Sequence, residues 1–337
     1  MTHELMKIIH QARINQQIEI KCVLATVVHL EGSSYRKPGV RMLISENGDM
    51  TGAVSGGCVE YEIKRRASSV FIDGKPKVIS YDGRYRLGCE GILHILIEPF
   101  IISDSLLTCF KDVLNKRESY SINSYFKIGD EITGQFGSTI NLGIKNFSFK
   151  EVFNYENKED LEVFSQNLEP CFKLLIIGGE HDAVKLCEMA SLLGWEVDVI
   201  TSVKDPKELR DFPGAKSVDS QDPELLDINI DRNTAVVLMT HNYARDLKFL
   251  LRLQLAEIIY LGVLGSSKRR EQLKNDLLNY SANLNIDFLE SIYSPSGLNI
   301  GAITPEEIAL SILSEIMAVT RHKEAVSLRE IKHRINK

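Results

Sequence analysis

The chain is short of the residues that mark several protein classes. Of its 337 residues, six are cysteine, nine proline and one tryptophan. The cysteines (Cys22, Cys58, Cys89, Cys109, Cys171, Cys187) form no Cys-x-x-Cys pair, which excludes a zinc ribbon and argues against a disulfide framework. No apolar run reaches the length of a membrane span. The opening MTHELMKIIHQARINQQ lacks the unbroken apolar core of a signal peptide and reads as an amphipathic helix. Positive charge is not in excess either. Lys and Arg number 40 against 46 Asp and Glu, a net of −6, which argues against nucleic-acid or membrane-surface binding. Together these absences lead to the expectation of a cytoplasmic protein with reduced thiols.

What remains is ordinary globular composition, 44% apolar and 26% charged. The length suits about two domains. Residues 1–100 hold 13 Lys/Arg against 11 Asp/Glu, a net of +2, which leaves −8 for the rest. An anionic ligand is therefore better placed in the N-terminal portion.

After the first helix, Cys22–Leu30 reads as a strand rich in β-branched residues. Lys37-Pro38-Gly39-Val40 fits a type II turn. Arg41–Ser45 and Met50–Val54 read as strands joined by an Asn47-Gly48 hairpin, and a helix is expected from about Val59. Between Ser103 and Gln166 the pattern weakens to one helix and short alternating strands, with Glu156–Glu162 a helix or linker and a boundary near residue 165. Beyond it, Lys173–Ile177 is a continuous apolar strand, followed by alternating helical and strand patterns, which predicts a doubly wound parallel sheet. A capping box of Thr304, Pro305 and Glu307 opens the last helix. The expected fold is α/β: a C-terminal Rossmann-like doubly wound parallel sheet preceded by a smaller mixed α+β N-terminal domain. Its expected parts are 1–100, a connecting α+β segment over 101–168, the Rossmann-like domain over 169–325 and a tail over 326–337.

Six segments carry residues suited to chemistry. Ser55-Gly56-Gly57-Cys58 joins a strand to a helix, so its N–H groups and the helix dipole suit an anion and favour a Cys58 thiolate. A tight turn with an inert cysteine is the alternative. Ser33, Ser34, Arg36 and Lys37, with Arg41 shortly after, offer hydroxyls and cations to an anionic ligand, or form a solvated basic loop. Gly88-Cys89-Glu90-Gly91 is a second glycine-flanked thiol, or a simple bend. Gly178-Gly179-Glu180-His181-Asp182-Ala183 stands where a dinucleotide fingerprint would. Glu180, however, replaces the glycine that lets pyrophosphate approach, and Thr201 stands where a ribose-binding acid is expected. His181, Asp182 and His241 fall at the carboxyl ends of strands, where such sheets bind ligands. Gly265 and Ser266, ahead of Lys268-Arg269-Arg270, suit either phosphate or helix capping.

Taken in order, GSSYRKPGVRMLI, GAVSGGCVE, GCEG, LLIIGGEHDAVKL, MTHNYARDL, YLGVLGSSKRR and SPSGLNIGAITPEEIALSILSEI resemble the XdhC/CoxI family, accessory proteins of xanthine dehydrogenase and related molybdenum hydroxylases. The resemblance spans nearly the whole chain. It implies an accessory protein, not a turnover enzyme, that binds molybdenum cofactor (molybdopterin), protects it during sulfuration and delivers it. It implies a xanthine dehydrogenase-type molybdenum hydroxylase and a cysteine desulfurase as partners, and a homo-oligomer is expected. Cys58 falls on the family's SGGC cysteine and Cys89 on its second glycine-flanked cysteine, where GCGG is usual and this chain has Glu90. These two are the candidate catalytic residues. The family's GAGHDA has Glu180 in place of its second glycine, and Thr201 replaces its usual Asp, which counts against NAD(P) as a cofactor. An NAD(P)-dependent oxidoreductase and a non-catalytic scaffold are the alternatives.

Overall fold

The computed structural model describes residues 1–34, 37–83, 91–150, 160–226, 230–280 and 285–331, and at Cys58 the backbone. The described residues divide into two compact units, 1–170 and 171–331.

The first unit holds α1 (Thr2–Gln17), β1 (Cys22–Glu31), β2 (Arg41–Ser45), β3 (Met50–Gly52), α2 (Cys58–Asp73), β4 (Lys77–Asp82), β5 (Ile92–Pro99), α3 (Asp104–Asn115), β6 (Tyr120–Phe126), β7 (Ile132–Thr133), β8 (Gly137–Leu142), β9 (Lys145–Ser148) and β10 (Glu162–Leu168). They build two antiparallel sheets, β3-β2-β1-β5-β4-β7 and β10-β6-β8-β9. The Asn47-Gly48 turn joins β2 to β3 as expected, with Gly48 at φ +94. β3 stops at Gly52, short of the expected Val54, because the N–H groups of Val54 and Ser55 turn away to the carboxylate of Glu60. Strand β10 begins where the sequence suggested a helix or linker and pairs along its length with β6.

Strand alternation places Val23, Ala25 and Val27 of β1 against Val59, Ile63, Ala67 and Val70 of α2. The opposite face of the first sheet meets α1, α3 and the second sheet. Between the sheets, apolar residues cluster at two levels, one around Leu24, Leu43, Ile122 and Ile140, the other around Val28, Leu96, Phe126 and Phe136. A polar layer separates them. Six strands, β1, β2, β5, β6, β8 and β10, contribute to it: Thr26, Arg41, Glu98, Ser124, Ser138 and Gln166, all buried.

The second unit holds β11 (Lys173–Ile177), α4 (His181–Leu192), β12 (Glu196–Thr201), β13 (Ser217–Ser220), β14 (Thr234–Leu238), α5 (Tyr243–Leu253), β15 (Tyr260–Val263), α6 (Ser267–Tyr280), α7 (Ile286–Glu290), β16 (Ile292–Tyr293) and α8 (Pro305–Thr320). All six strands are parallel, in the order β13-β12-β11-β14-β15-β16. Leu174 and Ile176 of β11 pack under α4 and α8, and Leu175 and Ile177 under α5 and α6. Both faces are thus covered, which is why the strands read as unbroken apolar runs. Strand order reverses between β11 and β14, the switch point where open α/β sheets bind ligands. Thr304 and Glu307 form the expected capping box at α8.

Candidate functional site

In the first unit, strand direction brings three loops to one end of the sheet. β1 and β3 are both antiparallel to β2, so both run toward the same end. Glu31 at the end of β1 and Asp82 at the end of β4 both pair with Ile92 at the start of β5. The segments after β1, after β3 and between β4 and β5 therefore share that end. The backbone confirms the approach: a Cβ on Gly91 would lie 2.7 Å from the carbonyl oxygen of Ser33 and 2.9 Å from that of Glu31. Val54, Val59, Tyr81 and Leu93 fall in one apolar cluster, with Leu30 packed on it.

At this end α2 starts at Cys58 itself, behind Gly57 at φ +86, a conformation that favours glycine. Among the described residues, nothing lies within 4 Å of a Cβ built on Gly56 or Gly57. Glu60, 6% exposed, modifies the expected anion cradle. Its Oε1 accepts the N–H groups of Val54 (3.1 Å) and Ser55 (2.5 Å), so Ser55's N–H is committed within the protein. Ser33 and Ser34 are half-buried nearby, and Lys37 is exposed. Arg36 and Cys89 lie outside the described residues.

Arg41 is set apart from these cations. It faces the interior, and its Nη1 donates to the carbonyl of Gly39 (2.9 Å) and to Oε1 of Gln166 (2.5 Å). Burial lowers its pKa to about 10, against the raising influence of Tyr120 and Glu98. Its place in the polar layer makes it a structural cation.

Two residues that sequence patterns did not single out also stand at the loop end of the first sheet. His94 is 4% exposed. Its Nε2 lies 2.9 Å from Oε1 of Glu31 and its Nδ1 lies 3.0 Å from Oγ of Ser80. Ser80 donates to the carbonyl of Gly129 at 2.8 Å, so both ring nitrogens of His94 face oxygen acceptors. A lone histidine in the apolar strand ILHILIEP was the available signal.

In the second unit, a cleft of about 220 Å³ opens at the switch point. The ends of β11, β12 and β14 and the first turn of α5 line it, with Gly178, Gly179, Glu180, Thr201 and Arg245 among the lining residues. Gly178 is there for close approach: a Cβ would lie 2.4 Å from the carbonyl oxygen of Met239. Thr201 is buried, and its Oγ1 lies 2.8 Å from Oγ of Ser220. Glu180 is the exposed N-cap residue of α4, and its side chain makes no cap hydrogen bond. These residues do not suit a dinucleotide: a carboxylate meets the pyrophosphate position and a hydroxyl stands in for the ribose acid.

His241 takes a left-handed backbone, φ +54, just after β14. Its Nε2 comes within 3.6 Å of Oδ2 of Asp182, so these two candidates meet, while His181 is exposed on the first turn of α4. Gly265 and Ser266 serve α6. The side chain of Arg269 covers Gly265, and Ser266 Oγ accepts the N–H of Arg269 at 3.3 Å. Arg269 in turn donates to Oδ2 of fully buried Asp246 (2.6 Å), whose Oδ1 accepts from Thr240 (2.5 Å). Burial pushes the Asp246 carboxyl up, and Thr240 and Arg269 oppose that shift. This pairing of two distant motifs has no signal in local sequence.

Among the described residues, no group of three or more His, Cys, Asp or Glu could hold a metal ion, and no helix is long and apolar enough to cross a membrane. The chain is 30% identical over 326 residues to a probable xanthine dehydrogenase subunit of Bacillus subtilis, covering 91% of this chain and 95% of that one. It is 26% identical over 307 residues to the molybdenum cofactor insertion chaperone PaoD of Escherichia coli, covering 90% and 84%. A crystal structure described as a xanthine dehydrogenase from Bacillus halodurans superposes with a TM-score of 0.74 at 28% identity, covering 95% of this chain and 97% of that one. Residues 17–82 match the XdhC and CoxI family, and residues 174–316 match the XdhC Rossmann domain. Matched along nearly its full length, the chain belongs to the XdhC/CoxI family.

Proposed function

We propose that this protein binds molybdenum cofactor and assists its sulfuration and insertion into a xanthine dehydrogenase-type molybdenum hydroxylase. The observation that carries this reading is the loop end of the first sheet. There the Gly56-Gly57 turn, with no described residue packed against it, stands directly ahead of a helix whose first residue is Cys58. A helix start favours anions and thiolate. It suits a cargo that carries both a phosphate and a metal with soft sulfur ligands. Ser33, Ser34, Arg36 and Lys37 belong to the loop that would hold the anionic part, and Cys58 and Cys89 would handle sulfur or metal. Gly178, Gly179, His181, Asp182 and His241 form a second candidate surface in the Rossmann unit. The Escherichia coli relative's name, a molybdenum cofactor insertion chaperone, supports the reading. The partners proposed are the hydroxylase, a cysteine desulfurase and a second copy of this chain.

The test is mass spectrometry of small molecules released from protein purified from cells that make the cofactor. Wild type is expected to release a pterin, and Cys58→Ala to release little while unfolding at the wild-type temperature. Cys187→Ala is the control, since burial pushes that thiol up to about 12 and keeps it out of sulfur chemistry. A Cys58→Ala protein that keeps its pterin and matures the hydroxylase would remove Cys58 from the site. Wild type that releases no pterin would remove the reading itself.

A further inference from the structure

The loop end of the first sheet carries a carboxylate beside the segment suited to an anion. Glu31 is the last residue of β1, and Ser33, Ser34 and Lys37 follow it. Its carbonyl oxygen lies 2.9 Å from a Cβ built on Gly91, so it stands where the segments after β1 and before β5 touch. Its side chain is half-exposed, and among the described residues its one ionic partner is His94. An unpaired Glu31 would offset the charge of Lys37 and repel an anion from the loop.

His94 can supply the compensating charge. Ser80 Oγ spends its proton on the carbonyl of Gly129, so it offers only lone pairs to Nδ1 of His94, and an ionised Glu31 offers only lone pairs to Nε2. A neutral imidazole has one N–H and would set its bare nitrogen against one of these oxygens. An imidazolium has two and satisfies both. At 4% exposure that charge persists because a carboxylate pairs with it. The other ionisable groups around the ring come from three elements. β1 brings His29, whose ring centroid lies 5.6 Å away. On β4, Asp82 shares the face of Ser80, nearer the loop end. Beyond Gly129, Asp130 accepts the N–H of Ser80 and pairs with Arg66, and Glu131 pairs with Arg66 and Lys77. We propose that His94 is a positioning residue of the loop-end anion site: charged, it holds and neutralises Glu31, and neutral, it leaves a carboxylate that drives the anion out. Uptake of an anion is thereby coupled to uptake of a proton, so a cargo held at lower pH is released as pH rises. This rests on the anionic-ligand role proposed for Ser33, Ser34 and Lys37 and adds its regulation.

Sulfate, whose charge is constant over the range, is the probe for the intact protein between about pH 5.5 and about pH 8.5, where histidine changes charge. Amide NMR shifts of Ser33 and Ser34 report binding, and the ring-nitrogen shifts of His94 report its charge. Wild type is expected to carry both ring protons at the lower end and to bind sulfate about tenfold more weakly at the upper end. His94→Gln should show the weak affinity at every pH, Glu31→Gln the tight one, and the double variant should recover the tight one. A His94 that only packs the sheet predicts a double variant as weak as His94→Gln. If His94→Gln does not fold, Glu31→Gln decides alone, since it should abolish the pH dependence. His29→Gln is the control and should keep that dependence. A neutral His94 ring at the lower end, an affinity independent of pH, a double variant without recovery or amides unmoved by sulfate overturns the proposal. Pterin release uses neither sulfate nor these variants, so the accessory function and this coupling can fail separately.

Discussion

Arg41 lies on a strand whose two faces are both covered. In RMLIS, Arg41, Leu43 and Ser45 share the face toward the second sheet, and Met42 and Ile44 share the face toward α2. A cation ahead of such a strand reads from sequence as one more member of the basic loop, because its neighbour Gln166 is 125 residues away and lies on a strand that local pattern did not reveal. Among the described residues, two of its nitrogens, Nε and Nη2, have no hydrogen-bond partner. Packing and the hydrogen bonds of Nη1 hold the side chain. Arg41→Ala is expected to destabilise the first unit by about 3 kcal/mol, since it opens a cavity and strands the Gln166 carbonyl, while leaving ligand binding at the loop end unchanged. Urea unfolding followed by circular dichroism measures the first effect. Loss of ligand binding with full stability would make Arg41 a binding residue after all.

Strands of the first unit share a device. Along β1, β5, β6, β8 and β10 a polar residue interrupts an otherwise apolar inward face between the same two apolar clusters: Thr26, Glu98, Ser124, Ser138 and Gln166. This explains what could be read in the sequence and what could not. The Asn47-Gly48 hairpin, the α8 capping box and the apolar β11 run depend on neighbours in the chain, and pattern finds them. Strand β10, EVFSQNL, spends its inward Gln166 on Arg41, so its alternation is blurred. The loop-end glycines and Cys58 were legible as motifs, whereas Glu31–His94 and Asp246–Arg269 are pairings across the fold. The layer also has a pH signature. Glu98 is fully buried and its carboxyl is pushed up to about 7 by burial, against hydrogen bonds from the N–H and Oγ of Ser138 and the charges of Lys150 and Arg41. A folded-state pKa above the unfolded value of 4.5 means the native state holds the proton more tightly. That contribution is complete below about pH 4.5 and is lost as pH rises through 7, up to about 3 kcal/mol in all. The urea midpoint of the first unit should therefore fall between pH 5 and pH 8, and Glu98→Gln should flatten that slope. A wild-type midpoint that rises over this range would show that other groups outweigh Glu98.

For the whole molecule, the two units differ in how they are built and in where chemistry would sit. The first unit is two antiparallel sheets with helices, its glycine turn at one end. The second is a parallel sheet with its cleft at the switch point. The apolar clusters of the first unit draw on residues between Leu5 and Leu168, and those of the second on residues between Phe172 and Val319. A unit that closes its own core at about 160 to 170 residues is of ordinary domain size and can fold alone. Fragments 1–170 and 171–337, expressed separately, are each expected to unfold cooperatively with urea. Fragment 1–170 should keep the falling pH dependence contributed by Glu98, and fragment 171–337 should lack it. If the second fragment fails to fold alone, the clusters around Leu174 and Leu175 are insufficient without the first 170 residues, and the two halves are one cooperative structure. If both fold, loop-end and cleft variants can be assayed in isolation, and the cargo chemistry can be assigned to one unit, the other, or both.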